Sequence, residues 1–169
     1  MPLRPTPDAL RERAFAVFGE AVHDARFLDL FAGTGSVGLE ALSRGAGSAV
    51  FVDHHRSAAR LIRQNCAAFG LETDRALVVV RPALAAVKEL AARGERFSLA
   101  WADPPFESWR EGLDALEAAF SIGLLGVEAT ACLECPERAG VEANLSQDLR
   151  VARDLTGGAS RLVMIEKRG

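Results

Sequence analysis

Short runs of consecutive apolar residues alternate along this chain with stretches whose apolar positions recur every three or four residues. The first pattern marks buried strands and the second amphipathic helices. Thr6-Pro7-Asp8 opens the first helix, with Thr6 as N-cap and Pro7 as the first helical residue. Leu10, Ala14, Val17 and Phe18 repeat at helical spacing up to a stop at Gly19. A first strand over Phe27 to Phe31 runs into Gly33, Gly35 and Gly38, and a helix from about Ser36 to Arg44 ends at Gly45. Ala49 to Val52 predicts the second strand, Arg56 to Phe69 a helix, Leu77 to Arg81 the third strand, and Ala83 to Arg93 a helix stopped by Gly94. Phe97 to Ala102 predicts the fourth strand, followed by a helix to about Phe120 and a fifth strand over Ala129 to Cys135. Leu149 and Val151, the turn residues Thr156-Gly157-Gly158-Ala159, and Leu162, Val163 and Ile165 read as a closing β-hairpin.

Strand–helix alternation ending in a hairpin is an α/β pattern. It describes a doubly wound, mostly parallel sheet with an antiparallel C-terminal end, in a single domain spanning residues 1–169. Residues 1–25 are expected to pack on it as an N-terminal segment and helix. The length suits one domain with a substantial core. No apolar run is long enough to span a membrane, MPLRPTPD lacks the apolar segment of a secretory signal, and Cys66, Cys132 and Cys135 suit a reducing compartment. A cytoplasmic monomer is expected.

The net charge of −3 does not advertise nucleic-acid binding, but its distribution is segregated. Acids dominate from Trp101 to Leu149, whereas Arg150, Arg153, Arg161, Lys167 and Arg168 crowd the last twenty residues and Arg44, Arg56, Arg60 and Arg63 form a second basic group. Such groups bind phosphates or simply form solvated helix faces, and the sequence leaves both open.

Candidate chemistry begins at the glycine loop. Gly33, Gly35 and Gly38 have the GxGxxG spacing, in which missing Cβ atoms let a cofactor lie against the backbone. Asp29 stands four positions before the first glycine. A carboxylate there would repel a pyrophosphate, and suits the ammonium and sulfonium of S-adenosylmethionine. Asp53, at the end of the second strand, is placed for ribose hydroxyls, and His54 and His55 either pack near that ribose or stand exposed.

Asp103-Pro104-Pro105-Phe106 closes the fourth strand, the end at which open α/β sheets place ligands. Two prolines stiffen the turn and leave carbonyl acceptors. The Asp103 carboxylate and a carbonyl can hold both hydrogens of one planar amino group, localising a lone pair otherwise delocalised into a base. Phe106 can stack on an extruded base. Glu134 ends the fifth strand and either buttresses this site or caps a loop. Cys132-x-x-Cys135 has no second pair to complete a zinc site, and no metal is expected.

The chain resembles the RsmD group of bacterial 16S ribosomal RNA guanine-N2 methyltransferases, within the Rossmann-like class I S-adenosylmethionine-dependent enzymes. Arg4-Pro5-Thr6 with Arg11-Glu12, Leu28 to Gly35 continuing through Leu42-Ser43-Arg44-Gly45-Ala46, Asn65, and Asp103 to Phe106 carry the likeness. The resemblance implies a seven-stranded methyltransferase sheet. It implies Asp29, Phe31, Gly33, Thr34, Gly35, Asp53, His54 and Ala83 around S-adenosylmethionine, with Asp103, Pro104, Pro105 and Phe106 around a guanine of 16S ribosomal RNA. It further implies Arg4, Thr6 and Arg11 at the RNA, and ribosomal proteins of a partly assembled small subunit as partners.

Two departures stand out. Only Met1, Pro2 and Leu3 precede Arg4, where the group usually has residues forming a hairpin. Arg81-Pro82-Ala83 follows the third strand, where the group usually has Asp or Asn, which leaves backbone groups such as the Ala83 N–H for adenine. Competing readings are an adenine-N6 methyltransferase, an NAD-binding oxidoreductase and a non-catalytic binding module. Asp29 argues against NAD, and the chain length leaves no room for a separate DNA-reading domain.

Overall fold

The sheet carries its strands in the order β3-β2-β1-β4-β5-β7-β6. The computed structural model describes the backbone of residues 5–169 and the side chains of 8–169. Helix α1 (Pro5–Phe18) precedes β1 (Arg26–Leu30), α2 (Ser36–Ser43), β2 (Ser48–Asp53), α3 (Arg56–Ala68) and β3 (Ala76–Val80). There follow α4 (Ala83–Ala92), β4 (Phe97–Ala102), α5 (Trp109–Ser121), β5 (Leu125–Pro136), α6 (Val141–Asn144), β6 (Leu149–Gly157) and β7 (Ser160–Lys167). Strands β1 to β5 pair in parallel and β7 pairs antiparallel with both β5 and β6, so the doubly wound sheet with its antiparallel end is as the sequence pattern predicts.

Side-chain alternation divides the core into two layers. Leu28, Leu30, Val50 and Val52 pack with α4 and α5, whereas Phe27 and Phe51 pack with α1, α2 and α3. Cys132 falls in the second layer and Cys135 in the first, because residues three apart on a strand face opposite sides. The ring of Phe15 in α1 stacks between those of Phe27 and Trp101, at centroid distances of 6.2 and 5.8 Å, and so fixes α1 to the sheet. Among the described residues no helix is long and apolar enough to cross a membrane.

Two expectations are corrected, and one short helix is added. Helix α1 already includes Pro5 and Thr6, so Thr6 is not its N-cap; prolines fit a first turn whose N–H groups have no helical partner. Strand β5 starts at Leu125 rather than Ala129, its register against β4 shifting between Phe97 and Leu99. Exposed Gly126, Val127 and Glu128 give that stretch no apolar alternation to read. Helix α6, four residues long, is too short to show a period.

Candidate active site

Parallel pairing of β1, β2 and β4 brings their carboxyl ends to one edge of the sheet. After β1 the chain turns sharply through Phe31, a non-glycine residue at φ 57, then through Gly33 at φ 57 and Gly35 at φ 80. Open space lies where a Gly33 side chain would stand, so a ligand can approach that backbone. Two bonds staple the loop to its neighbours. Gly33 N–H donates to Asp53 Oδ2 at 2.9 Å, and Asn65 Nδ2 donates to the Thr34 carbonyl at 2.9 Å. Thr34 itself is exposed.

Asp29 takes a position its sequence context does not reveal. It shares the face of β1 with Phe27, is only 1% exposed, and accepts the Gly38 N–H at 3.0 Å. Burial holds its carboxyl well above the usual range, against the opposing effect of the Gly38 N–H. The side chain therefore ties β1 to the first turns of α2 behind the loop and does not line the open cavity beyond it. Gly38 is required at this contact, because a Cβ there would stand 2.4 Å from Phe51 Cε1.

That cavity has a volume of about 610 Å³. Phe31, Asp53, His54 and His55 line one side, and Asp103 to Phe106 with Arg11 and Glu134 line the other. Asp53 Oδ1 accepts the His55 N–H at 2.9 Å and lies 3.1 Å from its Nδ1. The His54 and His55 ring centroids are 3.8 Å apart, and donor atoms of Asp53, His54 and His55 all lie within 4.8 Å of one another. Pro104 is buried, Pro105 exposed and Phe106 half-buried. Gly112 of α5 lets Pro104 seat, since a Cβ at Gly112 would come within 2.7 Å of Pro104 Cγ.

Arg11 links the two carboxylates of the site. Its Nη2 donates to Asp103 Oδ2 at 2.9 Å and its Nε to Glu134 Oε1 at 2.8 Å. Trp101 Nε1 donates to the same Glu134 oxygen at 3.1 Å. The register explains the juxtaposition: Ala102 faces Leu133, so one residue further Asp103 meets Glu134. Burial and then repulsion by Glu134 push the Asp103 carboxyl up to about 7, with Arg11 pulling it down. For Arg11 itself, burial would lower the pKa, and the carboxylates of Glu134 and Asp103 outweigh that and raise it.

The structure thus gathers Asp103 to Phe106, Phe31, Asp53, His54 and Arg11 around one space, bordered by the loop carrying Gly33, Thr34 and Gly35. Ala83 instead packs in the core at the start of α4, outside that lining. Arg4 lies outside the described residues, as does the side chain of Thr6. Glu134, left open by the sequence, belongs to the site.

Solved structures share this fold. The candidate methyltransferase yhhF from Escherichia coli superposes with a TM-score of 0.79 at 29% identity, covering 98% of this chain and 88% of that one. HI0767 from Haemophilus influenzae, a candidate methylase, has the same fold at a TM-score of 0.80 and 22% identity, covering 95% of this chain and 97% of its own. The domain is a Rossmann-like methyltransferase, and its family and fold imply a cofactor of the S-adenosylmethionine type. The open backbone at Gly33 and the Asp53 carboxylate at the end of β2 fit that group.

Within that class, residues 1–166 match the family described as conserved hypothetical protein 95, and the chain belongs to this family, the RsmD-type methyltransferases. YlbH from Bacillus subtilis (strain 168), by name a candidate rRNA methyltransferase, is 32% identical over 171 residues, spanning 98% of this chain and 89% of its own length. Ribosomal RNA small subunit methyltransferase D from Escherichia coli (strain K12) is 39% identical over 111 residues, which make up 66% of this chain and 52% of that protein.

Proposed function

We propose that this protein transfers a methyl group to the exocyclic N2 amino group of a guanine in small-subunit ribosomal RNA. The observation that carries the proposal is the shared cavity. Asp103 and its diproline turn open onto the same space as Phe31 and Asp53, beside the glycine loop. The names of the relatives in Escherichia coli and Bacillus subtilis support ribosomal RNA as the substrate.

S-adenosylmethionine, when bound, supplies an electrophilic methyl group. Asp53 would hold the ribose, and the backbone of Gly33, Thr34 and Gly35, with Phe31, would hold the rest of the cofactor. Asp29 would act one step removed, by fixing the loop through the Gly38 N–H. His54 and Ala83 remain candidates for the adenosine end.

On the other side, the ionised Asp103 carboxylate and a proline carbonyl would accept both N–H bonds of the amino group, turning its lone pair toward the methyl. Guanine fits this lining better than adenine does. Its base-pairing edge offers N1–H beside the N2 amino group as donors, and Asp103, Glu134 and Glu107 all line the cavity with acceptor oxygens. Phe106 would stack on the base. Arg11 would chiefly keep Asp103 ionised and aimed, and Arg4 and Thr6 are proposed as RNA contacts. A partly assembled small subunit, with its ribosomal proteins, is the proposed substrate form.

The test is mass mapping of small-subunit RNA from cells with and without the gene. A single guanine that loses a methyl group at N2 is the expected result. Unchanged RNA, or loss at an adenine N6, would refute it.

A further inference from the structure

Helix α3 carries Arg56, Arg60 and Arg63 and no acidic residue. These arginines are exposed and recur at i, i+4 and i+7, which places them along one face. With Gln64 they line a cleft of about 600 Å³ whose apolar part is Ala59, Ala67 and Val80. None of the three has a hydrogen bond or ion pair among the described residues. Other exposed arginines of the same half of the sheet are engaged: Arg44 with Glu40, and both Arg81 and Arg93 with Glu89. The row starts beside the active site, because Arg56 directly follows His54 and His55, which line its cavity.

Unpaired guanidinium groups along a groove suit a string of phosphates, which accept their forked N–H donors without any carboxylate being displaced. At 1.5 Å rise per residue, Arg56 and Arg63 stand about 10 Å apart along the helix axis, enough to track consecutive phosphates of a single strand. We infer that the Arg56–Arg60–Arg63 face of α3 is an RNA-backbone docking surface that leads the substrate strand into the active-site cavity. This rests on the ribosomal RNA reading above and adds the surface that engages the strand. The contacts position the RNA and carry no sequence information.

The test compares wild-type protein, the triple variant Arg56→Gln/Arg60→Gln/Arg63→Gln, and a control triple variant Arg138→Gln/Arg153→Gln/Arg168→Gln. The side chains of the control arginines likewise have no hydrogen bond or ion pair among the described residues, are exposed, and lie outside α3. Binding to a small-subunit ribosomal RNA transcript is measured across a salt series, alongside S-adenosylhomocysteine calorimetry, thermal unfolding, and methyl transfer to small subunits from cells lacking the gene. The α3 variant is expected to lose roughly tenfold or more in RNA affinity near physiological salt. The slope of log K against log[salt] should flatten by about 2, since each single-strand phosphate contact contributes about 0.7. KM for RNA should rise with kcat, S-adenosylhomocysteine affinity and melting temperature unchanged, and the control should behave as wild type. Wild-type affinity and slope in the α3 variant, or an equal loss in the control, would overturn the proposal. A loss seen on small subunits and absent on bare RNA would also overturn it, in favour of a protein contact. Wild-type protein that binds S-adenosylhomocysteine yet neither binds nor methylates ribosomal RNA would overturn the substrate reading, and this surface with it.

Discussion

Replacing Arg11 with Gln removes the cation that holds Asp103 Oδ2 at 2.9 Å while keeping a side chain of similar reach. Two charges at that separation interact by about 6 kcal/mol at an effective dielectric of about 20, and by about 1.4 kcal/mol in bulk water. The side chains are 25% and 34% exposed, which moves the pair toward the watery end, to roughly 1.5–3 kcal/mol. At about 1.4 kcal/mol per pH unit, the acidic limb governed by Asp103 should move up by one to two units. Burial and Glu134 push the Asp103 carboxyl up to about 7 with Arg11 present, and its proposed role requires the ionised form, so activity is expected to fall as pH drops through that value. In Arg11→Gln the half-maximal point should lie between about 8 and 9. The assay is initial-rate methyl transfer to small subunits between about pH 5.5 and 9.5, with folding checked by melting at each end. Near the alkaline end the variant should recover to within a few-fold of wild type, and Arg11→Lys, a point charge without the fork, should fall between. Glu134→Gln should shift the limb the other way, because Glu134 is the neighbour that raises Asp103. A uniformly lower rate with an unmoved limb in Arg11→Gln would refute the reasoning.

Other outcomes follow from the same geometry. Asp103→Ala should bind S-adenosylhomocysteine as wild type does in calorimetry yet lose transfer; near-normal turnover would remove its amino-gripping role. Gly38→Ala gains about 1 kcal/mol of helix propensity but sets a Cβ 2.4 Å from the fully buried Phe51 ring, so a net loss of about 2 kcal/mol in denaturant unfolding is expected, with weaker cofactor binding. Gly112→Ala presses on Pro104 at 2.7 Å and should lower kcat more than it weakens cofactor affinity. An unchanged kcat would separate α5 from the diproline turn.

Much of this was legible in the sequence because its signals are local. Glycines at Gly33 and Gly35 demand the positive φ they adopt, and β4 ends at Ala102, directly before Asp103. The direction of the Asp29 side chain takes the packed sheet to see. Its place two residues after Phe27 already puts both on one strand face, and that face proves to be the layer under α1 and α2. Arg11, Asp103 and Glu134 come together across 92 and 123 residues of chain, through the stacking of Phe15 and the register of β4 on β5. No local pattern reports such a meeting. The start of β5 was hidden for the opposite reason: exposed Val127 and Glu128 lie on a stretch whose pairing is irregular.

The most direct measurement is a crystal structure with S-adenosylhomocysteine and a guanosine nucleotide. Its ribose is predicted at Asp53 and its sulfur facing the Asp103–Pro104 turn, with the guanine amino group between them, about 3–3.5 Å from the point the methyl would occupy. A by-product bound away from the cavity of Phe31, Asp53 and Asp103, or a guanine held where Asp103 cannot reach its amino group, would contradict the account.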